Sequence, residues 1–258
     1  MKKLPLHSLF IISVVILFSF SGCNRIKKEI ALKRELEKAA QQVNDMCPME
    51  IEEDVVVNSC EVVGTRALRF YYTTGWYDVE ILNGSDFERI QKPFILQQIL
   101  NNDKLQILKD NKIGFRFLYQ NSEGEVFGEI SLNPKDYNSS TIIDKNVNVY
   151  ETLADEDINL LLRSITSQEN KKTPIDLGDG FWIVNYAVEG KMLIYTYLLD
   201  EDADVDYDSF DEIKSNTLDD ADQEMMDMIS AGITMRFIYK DEDDNVVYSF
   251  DIDSSDLE

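Results

Sequence analysis

The sequence predicts an α+β protein made of two tandem repeats, each ordered helix, β-hairpin, helix, β-hairpin. Three observations indicate this class. Apolar residues recur at helical spacing in some segments and alternate with polar residues in others, and the second half of the chain repeats the first. In each repeat we expect a four-stranded antiparallel sheet covered by helices, and one continuous eight-stranded sheet is the alternative.

Internal matches define the duplication. The matching segments are 47–50 (CPME) with 173–176 (TPID), 67–72 (ALRFYY) with 192–197 (MLIYTY), 87–90 (FERI) with 210–213 (FDEI), and 113–119 (IGFRFLY) with 233–239 (ITMRFIY). They keep one order at an offset of about 120 to 126 residues. We therefore expect the repeats to superpose with Tyr119 on Tyr239.

The first helix of repeat one is predicted over residues 29–43, where one face carries Leu32, Leu36, either Ala39 or Ala40, and Val43. The strand pair that follows shows a different period. Alternate side chains of its second strand share one face, as a half-buried strand requires; they are Leu68, Phe70 and Tyr72.

A second helix and hairpin complete the repeat. Asn83 precedes the helix as a capping residue, and Pro93 is expected to break it or to begin a second segment, because proline has no amide hydrogen. Residues 113–119 are the clearest strand, and the turn 121–125 (NSEGE) joins it to 126–132.

The N-terminus has the pattern of a targeting segment. Basic Lys2 and Lys3 precede an apolar run over residues 9–20, which is too short to span a bilayer comfortably. The run ends in Phe20-Ser21-Gly22-Cys23, which resembles the lipobox of bacterial lipoproteins, with Phe20 where leucine is usual. This resemblance implies cleavage before Cys23 and lipidation of Cys23. An uncleaved membrane anchor with a chance cysteine is the alternative.

The resemblance also implies a location in the cell envelope. Asn24 follows the cysteine with no acidic residue nearby, which resembles lipoproteins sorted to the outer membrane with the body in the periplasm. In a cell with one membrane the same signal implies the outer face of the plasma membrane. The whole chain resembles lipoproteins with duplicated α+β bodies, and that resemblance implies no activity. We expect a signal peptide over 1–22, repeat one over 23–137, a linker over 138–150 and repeat two over 151–258.

Charge is divided unequally between the repeats. The net charge of −24 excludes a nucleic-acid binder held by phosphate contacts. Residues 151–258 hold 29 acidic and 7 basic residues, so nearly all the excess lies in repeat two, which suits a basic protein partner. The first helix is instead basic and can rest on anionic headgroups; its cations are Arg25, Lys27, Lys28, Lys33, Arg34 and Lys38. Solvated surfaces are the alternative for both.

Metal and catalytic motifs are weak. Asp202, Asp204 and Asp206 carry alternate carboxylates like the first half of an EF-hand loop, and they form a weak calcium-site candidate. Tyr207 at the glycine position argues against an EF-hand, and a solvated loop is the alternative. The only histidine, His7, lies in the signal peptide, which excludes histidine-dependent triads from the mature chain. A glycosidase-type pair of carboxylates stays open, but we expect no enzyme activity and no cofactor.

Cys47 and Cys60 are the other two cysteines, and they flank the first strand of repeat one. An oxidising compartment permits a disulfide between them, which would contribute about 3 kcal/mol by the loop-entropy estimate. Two buried free thiols are the alternative.

Arg116 and Arg236 occupy equivalent outward positions on the third strand of each repeat. A cross-strand ion pair with a neighbouring acid is one interpretation, and a contact for a carboxylate of a partner is the other. Nearby aromatic residues either anchor a partner or pack in the core; they are Tyr71, Trp76, Tyr77 and Trp182.

Together these features predict a non-catalytic, lipid-anchored envelope protein that binds another protein, with an inhibitor, immunity or assembly role. The alternative is an envelope lipoprotein that binds a small ligand or a divalent cation.

Overall fold

The computed structural model describes residues 25–52, 54–138, 147–200 and 210–257. They form two compact units. The N-terminal unit contains the described residues up to Gly75 and Asn83–Val147. The C-terminal unit contains the described residues from Asn148 onward together with the short segment Trp76–Leu82. Within the described part of the chain, no helix combines the length and apolar character needed to cross a bilayer.

The N-terminal unit is a five-stranded sheet with helices. Its helices are α1 (Arg25–Asn44), α2 (Gly84–Asn101), α3 (Gln106–Asp110) and α4 (Pro134–Asn138), with a 3₁₀ turn at Asp103–Leu105. Its strands are β1 (Met49–Glu52), β2 (Val55–Val63), β3 (Ala67–Thr74), β4 (Gly114–Gln120) and β5 (Val126–Leu132). The strands lie in chain order across the sheet.

The C-terminal unit repeats this order. Its helices are α5 (Asp155–Asn170), α6 (Phe210–Asp219) and α7 (Gln223–Ser230), with 3₁₀ turns at Val149–Thr152 and Ser254–Leu257. Its strands are β6 (Ile175–Gly178), β7 (Phe181–Glu189), β8 (Met192–Leu199), β9 (Thr234–Lys240) and β10 (Val246–Ile252). They also lie in chain order, so the α+β class and the duplication are confirmed.

The expected four-stranded antiparallel sheets are wrong in two respects. Each sheet has five strands, because a four-residue strand (β1 or β6) pairs with the outside of the next one. Each sheet is also mixed, since β3 pairs parallel with β4 and β8 parallel with β9. The helical connection between these strands brings the chain back across the sheet, and such a crossover makes its two strands parallel. The two sheets are separate in hydrogen bonding, so the eight-stranded alternative is also wrong.

The core of each unit is a row of aromatic rings on the central parallel strands. In the N-terminal unit Tyr72 stacks on Tyr119 with ring centroids 5.3 Å apart. Tyr197 stacks on Tyr239 at 4.8 Å in the C-terminal unit. The strand registers pair the same tyrosines, so Tyr119 and Tyr239 hold equivalent places in the two sheets.

Helices cover the same inner face in both units. The predicted stripe of α1 is confirmed, because Leu32, Leu36, Ala39 and Val43 are all buried. At the end of α1, Asn44 accepts a hydrogen bond from the backbone N–H of Cys60 and donates one to its carbonyl. The corresponding Asn170 of α5 makes the same two bonds to Tyr186, so one amide side chain ties a helix end to a strand in each unit.

For helix α2, one prediction is confirmed and another is wrong. Asn83 is its N-cap, and its side chain accepts from the N–H groups of Ser85 and Asp86. Pro93 does not break the helix, which continues through Asn101. Proline removes one backbone hydrogen bond, and the buried apolar face, with Ile90 before Pro93 and Phe94 after it, outweighs that loss.

The segment Trp76–Leu82 packs on α5 within the C-terminal unit. Trp76 and Tyr77 are buried, as the core-packing interpretation expects. Asp78 accepts a 2.6 Å hydrogen bond from the Ser167 hydroxyl, and its own N–H donates to Ser164 Oγ at 2.8 Å. Burial acts to raise the pKa of the Asp78 carboxyl, but hydrogen bonds from Ser167 and the backbone outweigh it, so the pKa lies below its usual value.

Gln91 is a buried polar residue in the otherwise apolar core of the N-terminal unit. Its side chain is fully buried on α2, and neither amide atom hydrogen-bonds to a described residue. A buried polar group without a partner is destabilising. We expect Gln91→Met, which keeps the length of the side chain, to raise the free energy of unfolding by about 1 kcal/mol in chemical denaturation.

Gln97→Met on the same helix is the matched control for that prediction. The Gln97 amide donates to the carbonyl of Val147, so the same exchange there is expected to lower stability. A Gln91→Met variant less stable than the native chain would contradict the prediction.

Candidate functional site

Each sheet has an outer face, which is the side opposite the one on which the aromatic row and the helices pack. In the N-terminal unit this face is polar and charged. Arg69 bonds Glu61 at 3.2 Å and lies 3.5 Å from Glu129, while the Tyr71 hydroxyl donates to Glu61 at 2.6 Å. Arg116 lies 3.7 Å from the same Glu129. These side chains form one network along the middle of the sheet.

The outer face of the C-terminal unit is more aliphatic at the same positions. Ile194 stands where Arg69 stands in the first unit and Leu198 replaces Thr73, while Ile238 and Leu118 are both aliphatic. Ile194 is 7% exposed, and the strand register places it beside Ala187 and Arg236. Leu198 and Ile238 are partly exposed.

Arg116 lines a cleft of about 370 Å³ at one end of the N-terminal sheet. Arg66 and Lys112 line it as well, and the hydroxyl groups of Thr65 and Ser131 contribute polar atoms. None of the described residues that line this cleft is acidic. We call it the basic cleft.

Arg236 lines a cleft of about 550 Å³ in the C-terminal unit, where Lys214 and three aspartates also line the wall. Arg236 donates from Nε and Nη2 to the two carboxylate oxygens of Asp251, each at 2.7 Å. Asp253 and Asp256 line the same cleft, as does Ile238 from the aliphatic outer face. We call it the acidic cleft.

The acids of this cleft are held in the charged form. Hydrogen bonding to Arg236 lowers the pKa of Asp251, and hydrogen bonding to Ser255 lowers the pKa of Asp253. Hydrogen bonding to Lys214, which lies 2.6 Å away, lowers the pKa of Asp256. All three carboxylates therefore stay ionised at neutral pH and well into mild acid.

Arg116 and Arg236, the two candidate contact residues, thus have different surroundings. Arg236 is in the cross-strand ion pair that was one of the two interpretations, and two short bonds occupy its guanidinium group. Arg116 has one contact of 3.7 Å to a carboxylate and is 41% exposed. Arg66, Lys112 and Asp251 were not singled out from the sequence, although aligning the two repeats places a serine opposite Asp251 and so points to the difference.

The cysteines of the N-terminal unit are free thiols in the structure. Burial raises the pKa of Cys60 to about 12 and also raises the pKa of Cys47. A protonated thiol is a poor nucleophile, so both groups react slowly at neutral pH. A disulfide between them stays a prediction.

The remaining predicted sites fall elsewhere. Cys23 and the calcium candidates Asp202, Asp204 and Asp206 lie outside the described residues. In the described ranges, no group of three or more histidine, cysteine, aspartate or glutamate side chains is placed to hold a metal ion. Of the remaining aromatic candidates, Tyr71 lies on the outer face of the first sheet, and Trp182 Nε1 lies 3.4 Å from an oxygen of Asp200.

A comparison with protein families matches residues 31–127 to a domain of unknown function (DUF8479). The match runs from α1 to the start of β5 and so lies in the first repeat. No curated protein matches the chain.

Several solved structures align with about two fifths of the chain. A protein of Pseudomonas aeruginosa described as secreted is 16% identical, with a TM-score of 0.37 over 40% of this chain and 96% of its own. The type 2 secretion system pilotin EpsS of Vibrio vulnificus is 8% identical, with a TM-score of 0.36 over 40% and 94%. The type II pilotin AspS of Vibrio cholerae is 12% identical, with a TM-score of 0.33 over 39% and 93%. We draw no functional inference from likenesses at this level.

Proposed function

We propose that this chain is a non-catalytic, lipid-anchored cell-envelope protein that binds another protein through the outer face of its C-terminal unit. The contrast between the two outer faces carries the proposal. Both units build the same strands in the same register, yet one fills the middle of its outer face with Arg69, Tyr71 and Thr73, and the other with Ile194, Thr196 and Leu198. The fold itself therefore does not require aliphatic residues there. Ile194 is buried, but Leu198 and Ile238 are partly exposed, and apolar side chains at a surface commonly mark an interface.

The charges beside this face define the chemistry of the partner. Ile238 belongs both to the aliphatic row and to the acidic cleft, so apolar and anionic surfaces are continuous. Asp253 remains ionised at neutral pH, whereas Asp251 and Asp256 are paired with Arg236 and Lys214. The C-terminal half holds 29 acidic and 7 basic residues. The partner that fits is a protein with an apolar patch beside lysine or arginine side chains.

Two sequence features support the other parts of the proposal. The lipobox resemblance at Cys23 supports an envelope location with a lipid anchor. The lack of histidine after His7 supports a non-catalytic role, because the common triads need an imidazole base. An inhibitor, immunity or assembly protein of the envelope has this combination of properties.

A pull-down with a matched pair of variants tests the proposal. The full chain, tagged after Glu258 and expressed in its native cell, is recovered from the envelope at low and at high salt. We expect one protein in a stoichiometric amount at low salt and much less at high salt, because screening weakens the attraction between the charged surfaces. Ile238→Lys is expected to reduce its recovery by about tenfold or more, since a charge then enters the apolar contact.

Leu118→Lys is the control, because Leu118 holds the same position on the outer face of the N-terminal unit. It is expected to leave recovery of the partner unchanged. Equal recovery with Ile238→Lys and the native chain would contradict the proposed surface, and equal loss with both variants would do so as well.

A further inference from the structure

The basic cleft of the N-terminal unit has the chemistry of an anion site. Three basic residues, Arg66, Lys112 and Arg116, line a cavity of about 370 Å³. Thr65 and Ser131 add hydroxyl donors at its wall. The guanidinium group is planar and offers two parallel donors, which suits the oxygens of a phosphate group.

Nearby carboxylates neutralise these cations only weakly. Arg116 lies 3.7 Å from Glu129, and Arg66 lies 3.7 Å from Glu29 of α1. Each contact to a carboxylate is a single long one, and neither carboxylate lines the cleft. Arg66 Nη1 also donates to the carbonyl of Asn111 at 3.1 Å. The side chains of Arg66 and Arg116 are 46% and 41% exposed, so both remain accessible to a ligand.

In the C-terminal unit, the arginine equivalent to Arg116 is neutralised by a carboxylate. Ser131 is the register partner of Arg116, and Asp251 is the register partner of Arg236. Two exchanges distinguish the units here, Ser131 against Asp251 and Glu129 against Ser249, and Asp251 gives Arg236 two bonds of 2.7 Å. With serine opposite it, Arg116 has the longer 3.7 Å contact to Glu129 instead of two bonds of 2.7 Å.

The backbone at Lys112 gives an independent observation. Its φ of 56° lies in the left-handed region, where a side chain is unfavourable, and the equivalent residue of the second unit is Gly232 with a φ of 82°. The first unit thus places a lysine at a position that favours glycine, and the lysine is exposed at the cleft. Both units share this left-handed turn, and only the first has a cationic side chain there.

We propose that the basic cleft binds a phosphate group, carried either by a membrane lipid headgroup or by a soluble phosphate compound. The charge of the site favours a dianionic phosphate over a single carboxylate, since three cations line the cleft and none of its described lining residues is acidic. This site is separate from the protein-binding face of the C-terminal unit, so its test does not depend on that proposal.

The test uses substitutions that copy the second unit. Inorganic phosphate is titrated calorimetrically into the full chain in phosphatidylcholine nanodiscs at constant ionic strength. Ser131→Asp is expected to weaken phosphate binding by about tenfold or more, because the new carboxylate pairs with Arg116 as Asp251 does with Arg236. Lys112→Gly removes one cation and relieves the left-handed backbone, and about fivefold weaker binding is expected.

Lys104→Gln is the control, since it removes one exposed lysine of the same unit away from the cleft. It is expected to leave the affinity for phosphate within about twofold of the native value. Absence of phosphate binding by the native chain, or equal weakening by Lys104→Gln and Lys112→Gly, would overturn the proposal. Because Lys112→Gly places glycine where the second unit has it, that variant keeps the test valid even if Ser131→Asp fails to fold.

A second arm separates the two sources of phosphate. The titration is repeated in nanodiscs that contain phosphatidic acid. If a lipid headgroup is the ligand, phosphatidic acid occupies the cleft and the native chain no longer binds added phosphate. If the ligand is soluble, phosphate binds equally in both nanodiscs, and either result supports a phosphate site in the cleft.

Discussion

Phe237→Ala is expected to lower the free energy of unfolding of the C-terminal unit by about 3–5 kcal/mol. Phe237 is fully buried at the centre of β9. Its ring stacks against Phe250 and Tyr195 with centroids 4.9 Å and 5.0 Å apart. Removing it loses the transfer free energy of the ring and leaves a cavity that the neighbouring aromatic rings cannot fill without leaving their own contacts.

Denaturant unfolding followed by tryptophan fluorescence measures this change. Both tryptophans, Trp76 and Trp182, lie in the C-terminal unit, so their emission follows that unit. Phe237→Leu is the conservative control and is expected to lose much less stability, because most of the volume is kept. A loss below about 1 kcal/mol for Phe237→Ala would contradict the packing described here.

Phe117→Ala is the matched variant of the N-terminal unit. Phe117 stacks on Phe70 at 5.8 Å and is as deeply buried as its counterpart. A similar loss is expected there, followed by far-ultraviolet circular dichroism because the unit has no tryptophan among its described residues. Comparable losses in the two units would show that the duplicated sheets carry equivalent cores.

The sequence allows the elements of this fold to be predicted better than their pairing. The inward alternation of residues 113–119 and the cap at Asn83 follow from local periods and turn chemistry, and the structure confirms both. The parallel pairing of β3 with β4 was missed, because it depends on which edge the chain reaches after α2, and no local pattern encodes that. The strands β1 and β6 were missed because four residues are too few to show a period.

The surroundings of the candidate site residues were also harder to predict than their positions. The internal alignment was enough to place Arg116 and Arg236 at equivalent outward positions. It did not give their different surroundings, because those depend on the cross-strand partners Ser131 and Asp251, and an irregularity near the turn of each hairpin shifts the register. The charge imbalance between the repeats pointed to the acidic half, but the aliphatic row on its outer face appears only when alternate residues of several strands are brought onto one surface.

Lys109 is a buried cation that the fold of the N-terminal unit uses, and its removal gives the second large expected effect. The residue is 6% exposed, and its Nζ donates to the carbonyls of Ile99, Leu100 and Asn102 at 3.1, 3.2 and 3.3 Å. These carbonyls belong to the end of α2, where helix geometry leaves the last C=O groups without backbone partners. A cation is also favourable at this end of the helix dipole.

The second unit explains why a lysine is needed here. Its residue at the equivalent position is the fully buried Ile229, and its helix α6 ends at Asp219, about one turn earlier than α2 does by the alignment of 87–90 with 210–213. The extra turn of α2 brings additional carbonyls into the protein interior. Lys109 satisfies them, whereas the shorter α6 does not present the same groups to Ile229.

Lys109→Met is therefore expected to lower the free energy of unfolding by about 1–3 kcal/mol, because methionine keeps the length of the side chain but leaves the buried carbonyls without a donor. The loss should appear in denaturant unfolding followed by circular dichroism, together with faster hydrogen exchange of amides in the last turn of α2. The exposed Lys104 is the control, and Lys104→Met is expected to change stability by less than about 0.5 kcal/mol.

If Lys109→Met were as stable as the native chain, a methionine side chain would suit the helix end as well as the ammonium group does, and the capping role would be wrong. A loss confined to Lys109→Met would instead show that the longer helix of the first unit depends on this one side chain, which the second unit has no need to keep.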